Sequence, residues 1–350
     1  MVQKNCSTKM KIGILSSGGD CPGINAAIRG VGKTAITHYG MEVTGLQSGF
    51  LGLLNKDTVP LDDNALSGIL NLGGTILGTS REKPFRKLLG EDEVIKETYK
   101  ELGLDCLVCI GGNGTQKTAY KLSELGLNII GIPKTIDNDV WGTDITFGFD
   151  TAVDIATNAI DRLHSTASSH NRVMVIELMG HNAGWITLHS GMAGGADIIL
   201  LPEIGFDMDV IVQTVLARAE KGKRYSIVAV AEGIDIGEKN LIKYKHPASY
   251  IAEKIEELTG IESRETVLGY VQRGGHPSAH DRILATRLGG YATALIAQKS
   301  FGHMVCLKKG KITSTPLSKI AGKLKLIEPE NDLILQGIRM GISFGKNLDI

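Results

Sequence analysis

Short apolar runs rich in β-branched residues alternate along this chain with longer stretches of helical period. Ile12–Leu15, Leu107–Ile110, Ile129–Ile132, Val173–Leu178, Ile198–Leu201, Ile227–Ala231 and Thr266–Tyr270 have the length and composition of buried strands. Helical spacing predicts helices over about Asn25–His38, Lys117–Leu125, Asp150–His164, Asp209–Lys221, Pro247–Leu258 and Asp281–Gln298. In the third of these, Val153, Ala156, Ile160 and Leu163 mark the apolar face. Strands that read as continuous apolar runs and alternate with helices belong in parallel sheets covered on both faces. In such folds ligands collect at the carboxyl ends of the strands, in the loops that lead into helices. A strand followed by a glycine loop recurs near residues 17, 111 and 180, which suggests two similarly wound halves.

Composition narrows the picture. A chain of 350 residues exceeds the size at which one core usually stops growing, so two domains are expected. Lys and Arg together number 38, as do Asp and Glu, so no global basic field exists to hold a nucleic acid or an anionic membrane. Any anion site must be local. Glycine is the outlier, at 44 residues against a typical ~7%, pointing to tight strand-to-helix turns and close backbone approach to ligands. The segment Met1–Lys11 is polar, no run approaches the ~18 apolar residues of a membrane span, and a cytoplasmic protein is expected. Five scattered cysteines (Cys6, Cys21, Cys106, Cys109, Cys306) make a disulfide framework a poor reading. Cys106 and Cys109 have the spacing of a redox or metal pair. Positions i and i+3 of a strand, however, face opposite sides, and no second Cys or His pair stands nearby, so a core reading is favoured.

Three loops carry candidate chemistry. Ser16-Ser17-Gly18-Gly19-Asp20-Cys21-Pro22-Gly23 follows a strand and opens a helix, where backbone N–H groups can face a phosphate. Taken alone it is as well read as a bare turn. Ile110-Gly111-Gly112-Asn113-Gly114-Thr115 repeats that placement, and two such loops on adjacent strands can clasp a polyphosphate. Neither completes a Walker A or a dinucleotide fingerprint. The third is Ile132-Pro133-Lys134-Thr135-Ile136-Asp137-Asn138-Asp139, with two carboxylates, a hydroxyl and an ammonium beyond a strand. One carboxylate can take the proton of an attacking hydroxyl and a second can help hold Mg²⁺ on phosphate oxygens. An Asx-rich turn is the bland alternative. Arg162, Arg172, Arg264 and Arg273 can grip a second phosphate if they converge, and otherwise are solvated surface groups. Glu232 and His181 each leave a strand. The first can accept from sugar hydroxyls, and the second can donate to a phosphate or cap the following helix.

Together, Gly-Gly-Asp-Cys-Pro-Gly-Ile-Asn-Ala-Ala-Ile-Arg (18–29), Gly-Gly-Asn-Gly-Thr (111–115), Pro-Lys-Thr-Ile-Asp-Asn-Asp (133–139), Met-Gly-His (179–181) and Gly-Tyr-Val-Gln-Arg-Gly-Gly (269–275) resemble the 6-phosphofructokinase family over about residues 10–310. The resemblance implies two Rossmann-like three-layer α/β/α domains with mainly parallel sheets. One, about 10–150 plus 265–310, would bind the phosphoryl donor; the other, about 151–264 plus 311–350, the sugar phosphate. It implies Mg²⁺-dependent phosphoryl transfer to the 1-hydroxyl of fructose 6-phosphate, with Asp137 as base and Thr135 and Asp139 as its partners. Gly19, Arg81, Gly111, Gly112, Asn113, Gly114, Thr115 and Lys134 fall where the family binds the donor. Met179, Gly180, His181, Glu232, Arg264, Tyr270 and Arg273 fall at the sugar phosphate, and Asn113 and Asp137 at the metal. Arg172 resembles a residue that reaches a neighbouring subunit's site, implying a homotetramer.

The sequence departs from the bacterial ATP-dependent pattern at Asn113, where an aspartate is usual, and at His181, where an arginine is commoner. A pyrophosphate-using branch carries an aspartate at the position of Gly114 and a lysine at that of Lys134. Here glycine leaves room for the α-phosphate of a nucleotide while the lysine is retained, and the exclusion argument favours ATP over pyrophosphate. Arg29, Lys33, Lys221, Lys223 and Arg224 resemble an effector site, with His164 where an arginine is usual. A non-catalytic sugar-phosphate sensor, disfavoured by the retained Thr135, Asp137 and Asp139, and a nicotinamide dehydrogenase, disfavoured by the incomplete fingerprint and the acidic Asp137/Asp139 pair, are the competing readings.

Overall fold

The computed structural model describes residues 9–81 and 91–348; Cys6, most of the polar segment Met1–Lys11 and the last two residues lie outside them. In chain order the elements begin with β1 (Lys11–Ser17), α1 (Ile24–Tyr39), β2 (Glu42–Leu46), α2 (Phe50–Asn55), β3 (Thr58–Pro60) and α3 (Glu91–Glu101). They continue with β4 (Cys106–Gly111), α4 (Asn113–Glu124), β5 (Ile129–Pro133), α5 (Phe149–His170), β6 (Val173–Leu178), α6 (Trp185–Ala193) and β7 (Ile198–Leu200). Next come α7 (Met208–Glu220), β8 (Ser226–Ala231), α8 (Glu238–Tyr244), α9 (Pro247–Thr259), β9 (Ser263–Val267) and a 3₁₀ turn at Gly269–Arg273. The chain ends with α10 (Ala279–Ala297), β10 (His303–Lys308), β11 (Lys311–Pro316), α11 (Leu317–Ile320) and α12 (Asp332–Arg339).

Two compact α/β units share the chain: Met1–Thr135 with Val140–Gly148 and Gly274–Leu324, and Ile136–Asp139 with Phe149–Arg273 and Lys325–Ile350. The first holds a seven-stranded sheet in the order β11-β10-β5-β4-β1-β2-β3, antiparallel only at its two edges. The chain leaves β1 for β2 on one side and returns to β4 on the other, so a topological switch point opens between β1 and β4. Ser17, Gly111 and Pro133 are register partners across β1, β4 and β5, so the three loops that follow start side by side. The second unit holds a four-stranded parallel sheet, β7-β8-β6-β9, with its own switch between β6 and β9. Leu178 pairs with Ala231 and Glu177 with Val267, so the loops after β6, β8 and β9 emerge together.

The central strands β4, β5, β6 and β8 are buried at every position because they are almost wholly apolar. Leu15, Leu107, Cys109 and Ile129 pack with Phe50 and Leu122 in the first unit; Val175, Ile198, Val228 and Ile251 pack together in the second. Cys106 and Cys109 are both fully buried without a disulfide, and burial pushes both thiols well up, which suits packing rather than redox or metal chemistry. No helix among the described residues is long and apolar enough to cross a membrane.

Some boundaries differ from the sequence expectation for local reasons. The strand expected to run to Tyr270 stops at Val267, because Gly269 at φ +58° turns the backbone into the 3₁₀ segment. The helix expected from Lys117 starts at Asn113, capped by the extended backbone of Gly112, so Asn113–Thr115 form its first turn. The helix from Asp150 runs on to His170.

Candidate functional site

In the first unit the two glycine loops are built against each other. Gly18 has φ +88°, its N–H donates to the Ser80 carbonyl at 3.0 Å, and Thr79 Oγ1 donates to the Gly18 carbonyl at 2.6 Å. The stretch ending at Ser80 thus laces onto the first loop, and Arg81 follows it, exposed. In the second loop Gly111 admits no side chain, since a Cβ there would lie 2.2 Å from Thr115 Oγ1. Thr115 Oγ1 in turn donates to the Ser17 carbonyl at 3.3 Å, tying one loop to the other. No side chain caps α4, so its positive N-terminal end is presented by Asn113 and Gly114, both half-buried.

Lys134 completes this cradle. It is 2% exposed, its N–H donates to the Gly111 carbonyl at 3.1 Å and its ammonium donates to the Gly19 carbonyl. The cation is therefore fixed between the two loops instead of reaching from the surface. A fixed charge, a helix N-terminus and glycine backbone on three aligned strand ends are the groups that can accept a polyphosphate. Thr135 is buried and its carbonyl accepts from Thr146 Oγ1 at 2.8 Å.

From Thr135 the chain passes straight into Ile136–Asp139. Asp137 is 9% exposed, and Asn138 adopts the left-handed region at φ +52°. Two bonds from Lys325 hold this loop, the N–H to the Asp139 carbonyl and Nζ to Asn138 Oδ1, both at 2.8 Å.

In the second unit a cavity of about 480 Å³ sits at the aligned ends of β6, β8 and β9, lined among others by Met179, His181, Glu232, Lys245, His246 and Tyr270. Glu232 Oε1 accepts from the N–H groups of Gly180 at 3.2 Å and His181 at 2.8 Å, so this carboxylate shapes the Met179–His181 loop. Gly233 allows the close approach, since a Cβ there would fall 1.9 Å from the His181 carbonyl oxygen. Gln272 is fully buried and its Oε1 accepts from Met179 N–H at 2.9 Å, which ties the 3₁₀ turn bearing Tyr270 and Arg273 to the same loop. His181 does not cap α6; the cap is Gly184, whose N–H is held by Glu203. Burial raises the Glu203 carboxyl, offset in part by those amide donors.

Glu177, His246 and Lys245 are lining residues that sequence reasoning missed. Glu177 is a buried carboxylate inside an apolar strand, and that anomaly was the available signal. Its Oε2 accepts from Ala248 N–H and its Oε1 meets His246 Nδ1, both at 3.0 Å. The ring thus stands at the N-terminus of α9, oriented from β6.

Arg172 and Arg264 are not brought to this cavity. They stand at the opposite ends of β6 and β9, where Glu262 pairs with Arg172 at 3.4 Å and with Arg264 at 2.7 Å. Arg162 is exposed on α5. Of the residues resembling an effector site, Lys33 pairs with Asp63 at 2.7 Å, while Lys223 and Arg224 line a second cavity of about 570 Å³. His164 is engaged internally with Tyr225 Oη at 3.2 Å and the Gly194 carbonyl at 2.6 Å.

No group of three or more His, Cys, Asp or Glu side chains suited to a metal occurs among the described residues. Asp137 carries carboxylate oxygens and Asn113 an amide oxygen, each a donor type that Mg²⁺ takes alongside phosphate oxygens and water.

The family profile described as phosphofructokinase matches residues 11–296. A Bacteroides thetaiotaomicron protein named ATP-dependent 6-phosphofructokinase 3 is 63% identical, covering 96% of this chain and all of its own length. A Spirochaeta thermophila protein named ATP-dependent 6-phosphofructokinase is 53% identical over 95% of this chain and 97% of its own. A Streptomyces coelicolor protein named pyrophosphate–fructose 6-phosphate 1-phosphotransferase is 47% identical over 91% of this chain and 97% of its own. Among solved structures, a Nitrosospira multiformis pyrophosphate-dependent phosphofructokinase is 25% identical with a TM-score of 0.84, covering 95% of this chain and 92% of that one.

Proposed function

The chain belongs to the phosphofructokinase family, and from that premise we propose that it is an ATP-dependent 6-phosphofructokinase, moving the γ-phosphoryl group of ATP to the 1-hydroxyl of fructose 6-phosphate. The observation that carries this reading is the cradle of two interlocked glycine loops and buried Lys134, from which the chain runs directly to Asp137.

Phosphoryl transfer asks the protein mainly for positioning and charge. Gly19, Arg81 and Gly111–Thr115 would hold the donor phosphates through backbone N–H groups and the end of α4, with Lys134 supplying a fixed positive charge. The carboxylate of Asp137 would take the proton of the attacking hydroxyl as the new P–O bond forms and the γ-phosphorus parts from the bridging oxygen that leaves with ADP, a contribution of about 10²–10⁴ in rate. Thr135 and Asp139 flank it. Asp137 and Asn113 would be the residues to offer oxygens to Mg²⁺, which when bound would supply neutralising charge for the phosphate oxygens.

The unit containing β1 and β4 would thus be the donor-binding domain, and the unit containing β6 and β9 the sugar-phosphate domain. In the latter, Met179, Gly180, His181, Tyr270, Arg273 and the newly recognised His246 would surround the sugar phosphate, while Glu232 would form the loop and offer its carboxylate to sugar hydroxyls. Arg172 and Arg264, remote from that cavity within one chain, would serve a neighbouring copy, which supports a homotetramer with shared sites. A cytoplasmic location suits this activity.

ATP is chosen over pyrophosphate on Gly114, which adds no carboxylate beside the helix N-terminus, and on the ATP named for the relatives of higher identity. Purified protein should turn over fructose 6-phosphate with ATP far faster than with pyrophosphate, and Asp137→Asn should abolish at least about 10² of that rate. Equal or reversed donor rates would refute the choice of ATP. Undiminished turnover by Asp137→Asn would refute the assigned base.

A further inference from the structure

The loop Ile136–Asp139 has no sheet or helix of its own to hold it, yet it carries the carboxylate on which the proposed reaction depends. One hold on it comes from far along the chain. Residues 324–327 form an extended strap whose Lys325 N–H donates to the Asp139 carbonyl and whose Lys325 Nζ donates to Asn138 Oδ1. The strap is itself anchored on its other side. Trp185 Nε1 donates to the Lys325 carbonyl at 2.9 Å, Lys325 Nζ stands 5.2 Å from the Trp185 ring centroid, and Ile327 N–H donates to Glu203 Oε1 at 3.1 Å. Trp185 opens α6, and Glu203 also holds the amide of Gly184 just before it, so the strap is fastened to a helix start that is itself fixed.

Asn138 needs such support. It is 4% exposed and sits in the left-handed region, which asparagine tolerates better than other residues bearing a side chain but which still costs free energy relative to the ordinary regions. The Lys325 ammonium bonded to its side chain, together with the amide bonded to the next carbonyl, supplies a constraint on the two residues following Asp137.

We propose that Lys325 is a positioning residue for phosphoryl transfer, which holds the Asp137 loop in its productive conformation through Asn138 and Asp139. The inference rests on Asp137 being the base. A misplacement of about 1 Å at a reacting group lowers rates by ~10²-fold. Loss of the ammonium is therefore expected to lower kcat by roughly 10–100-fold while leaving the KM for fructose 6-phosphate within about threefold.

The test compares Lys325→Met, Lys325→Arg, Asn138→Gly and the Lys325→Met/Asn138→Gly double variant, glycine removing the acceptor without straining the positive φ, by steady-state kinetics and by amide hydrogen exchange over residues 136–140 in ligand-free protein. Lys325→Met should speed exchange there and lower kcat, Lys325→Arg should restore most of both, and the double variant should be no worse than Lys325→Met alone. Unchanged exchange in Lys325→Met would overturn the proposal. So would additive losses in the double variant, or a raised KM with unchanged kcat, which would make Lys325 a substrate ligand instead. Exchange decides the positioning claim even in the absence of turnover by the wild-type protein, an outcome that would count against the proposed activity alone.

Discussion

Replacing Glu177 by alanine should damage both stability and sugar-phosphate binding, by amounts that the structure allows to be separated. The side chain is 5% exposed and accepts two bonds, one from the buried N–H of Ala248 at the start of α9 and one from His246 Nδ1. Hydrogen bonds to a charged group contribute about 1.5–3 kcal/mol each, and an amide left buried without a partner is penalised by about 1–3 kcal/mol. Losing a carboxylate at a helix N-terminus adds ~0.3–1 kcal/mol. These terms overlap, so a net loss of about 3–5 kcal/mol is expected. At ~2–4 °C per kcal/mol for a unit of this size class, the melting temperature should fall by roughly 6–20 °C. Freeing the His246 ring adds the ordering of one side chain, about 0.5–1.5 kcal/mol, so the KM for fructose 6-phosphate should rise by roughly 2–10-fold. Glu177→Gln keeps an acceptor for Ala248 but presents its amide to Nδ1. It should therefore recover most of the melting temperature and little of the KM. Thermal unfolding followed by circular dichroism, with initial rates at varied sugar phosphate, measures both. An alanine variant melting within about 2 °C of wild type with an unaltered KM would refute the reasoning.

Two further outcomes follow from other sites. Gly114→Asp places a carboxylate in the first turn of α4, and at ~5 Å from an α-phosphate in an effective dielectric near 20 the repulsion is about 3 kcal/mol. Its kcat/KM for ATP should drop more than tenfold with fructose 6-phosphate binding within about twofold, and unchanged ATP kinetics would defeat the exclusion argument. His189 packs edge-on to Phe149, and burial, then the Lys325 charge, lower its pKa from the ordinary 6.5. The unfolded chain therefore binds that proton more readily, and the stability this residue contributes is present above pH 6.5 and lost as pH falls through the lowered value. His189→Gln should flatten the decline of melting temperature between about pH 7 and pH 5, and an identical slope would argue against it.

The parallel architecture was legible wherever a strand was apolar throughout, as in β4, β5, β6 and β8, because burial on both faces leaves an unbroken run. The outer strands β2, β3, β10 and β11 were not, since their more exposed positions let Glu42, Thr58, His303 and Lys311 interrupt the pattern. The glycine loops announced themselves because only glycine tolerates Gly111's contact with Thr115 or Gly18's positive φ. What escaped was pairing across long separations. Nothing near Glu177 in sequence points to His246, nothing near Asn138 points to Lys325, and the spacing of Arg172 and Arg264 could not reveal that both meet Glu262 at the far end of their sheet. Expecting Lys134 to meet a small anion as a ready charge missed its bond to the Gly19 carbonyl.

That bond bears on how such an enzyme can change its fuel. An ammonium already moored to backbone would, in the proposed donor site, greet a terminal pair of phosphates in the same way whether an adenosine trails behind them or nothing does. Discrimination would then reside farther out, around the inner phosphate and the nucleoside, where single side chains can be exchanged without disturbing the anchorage itself.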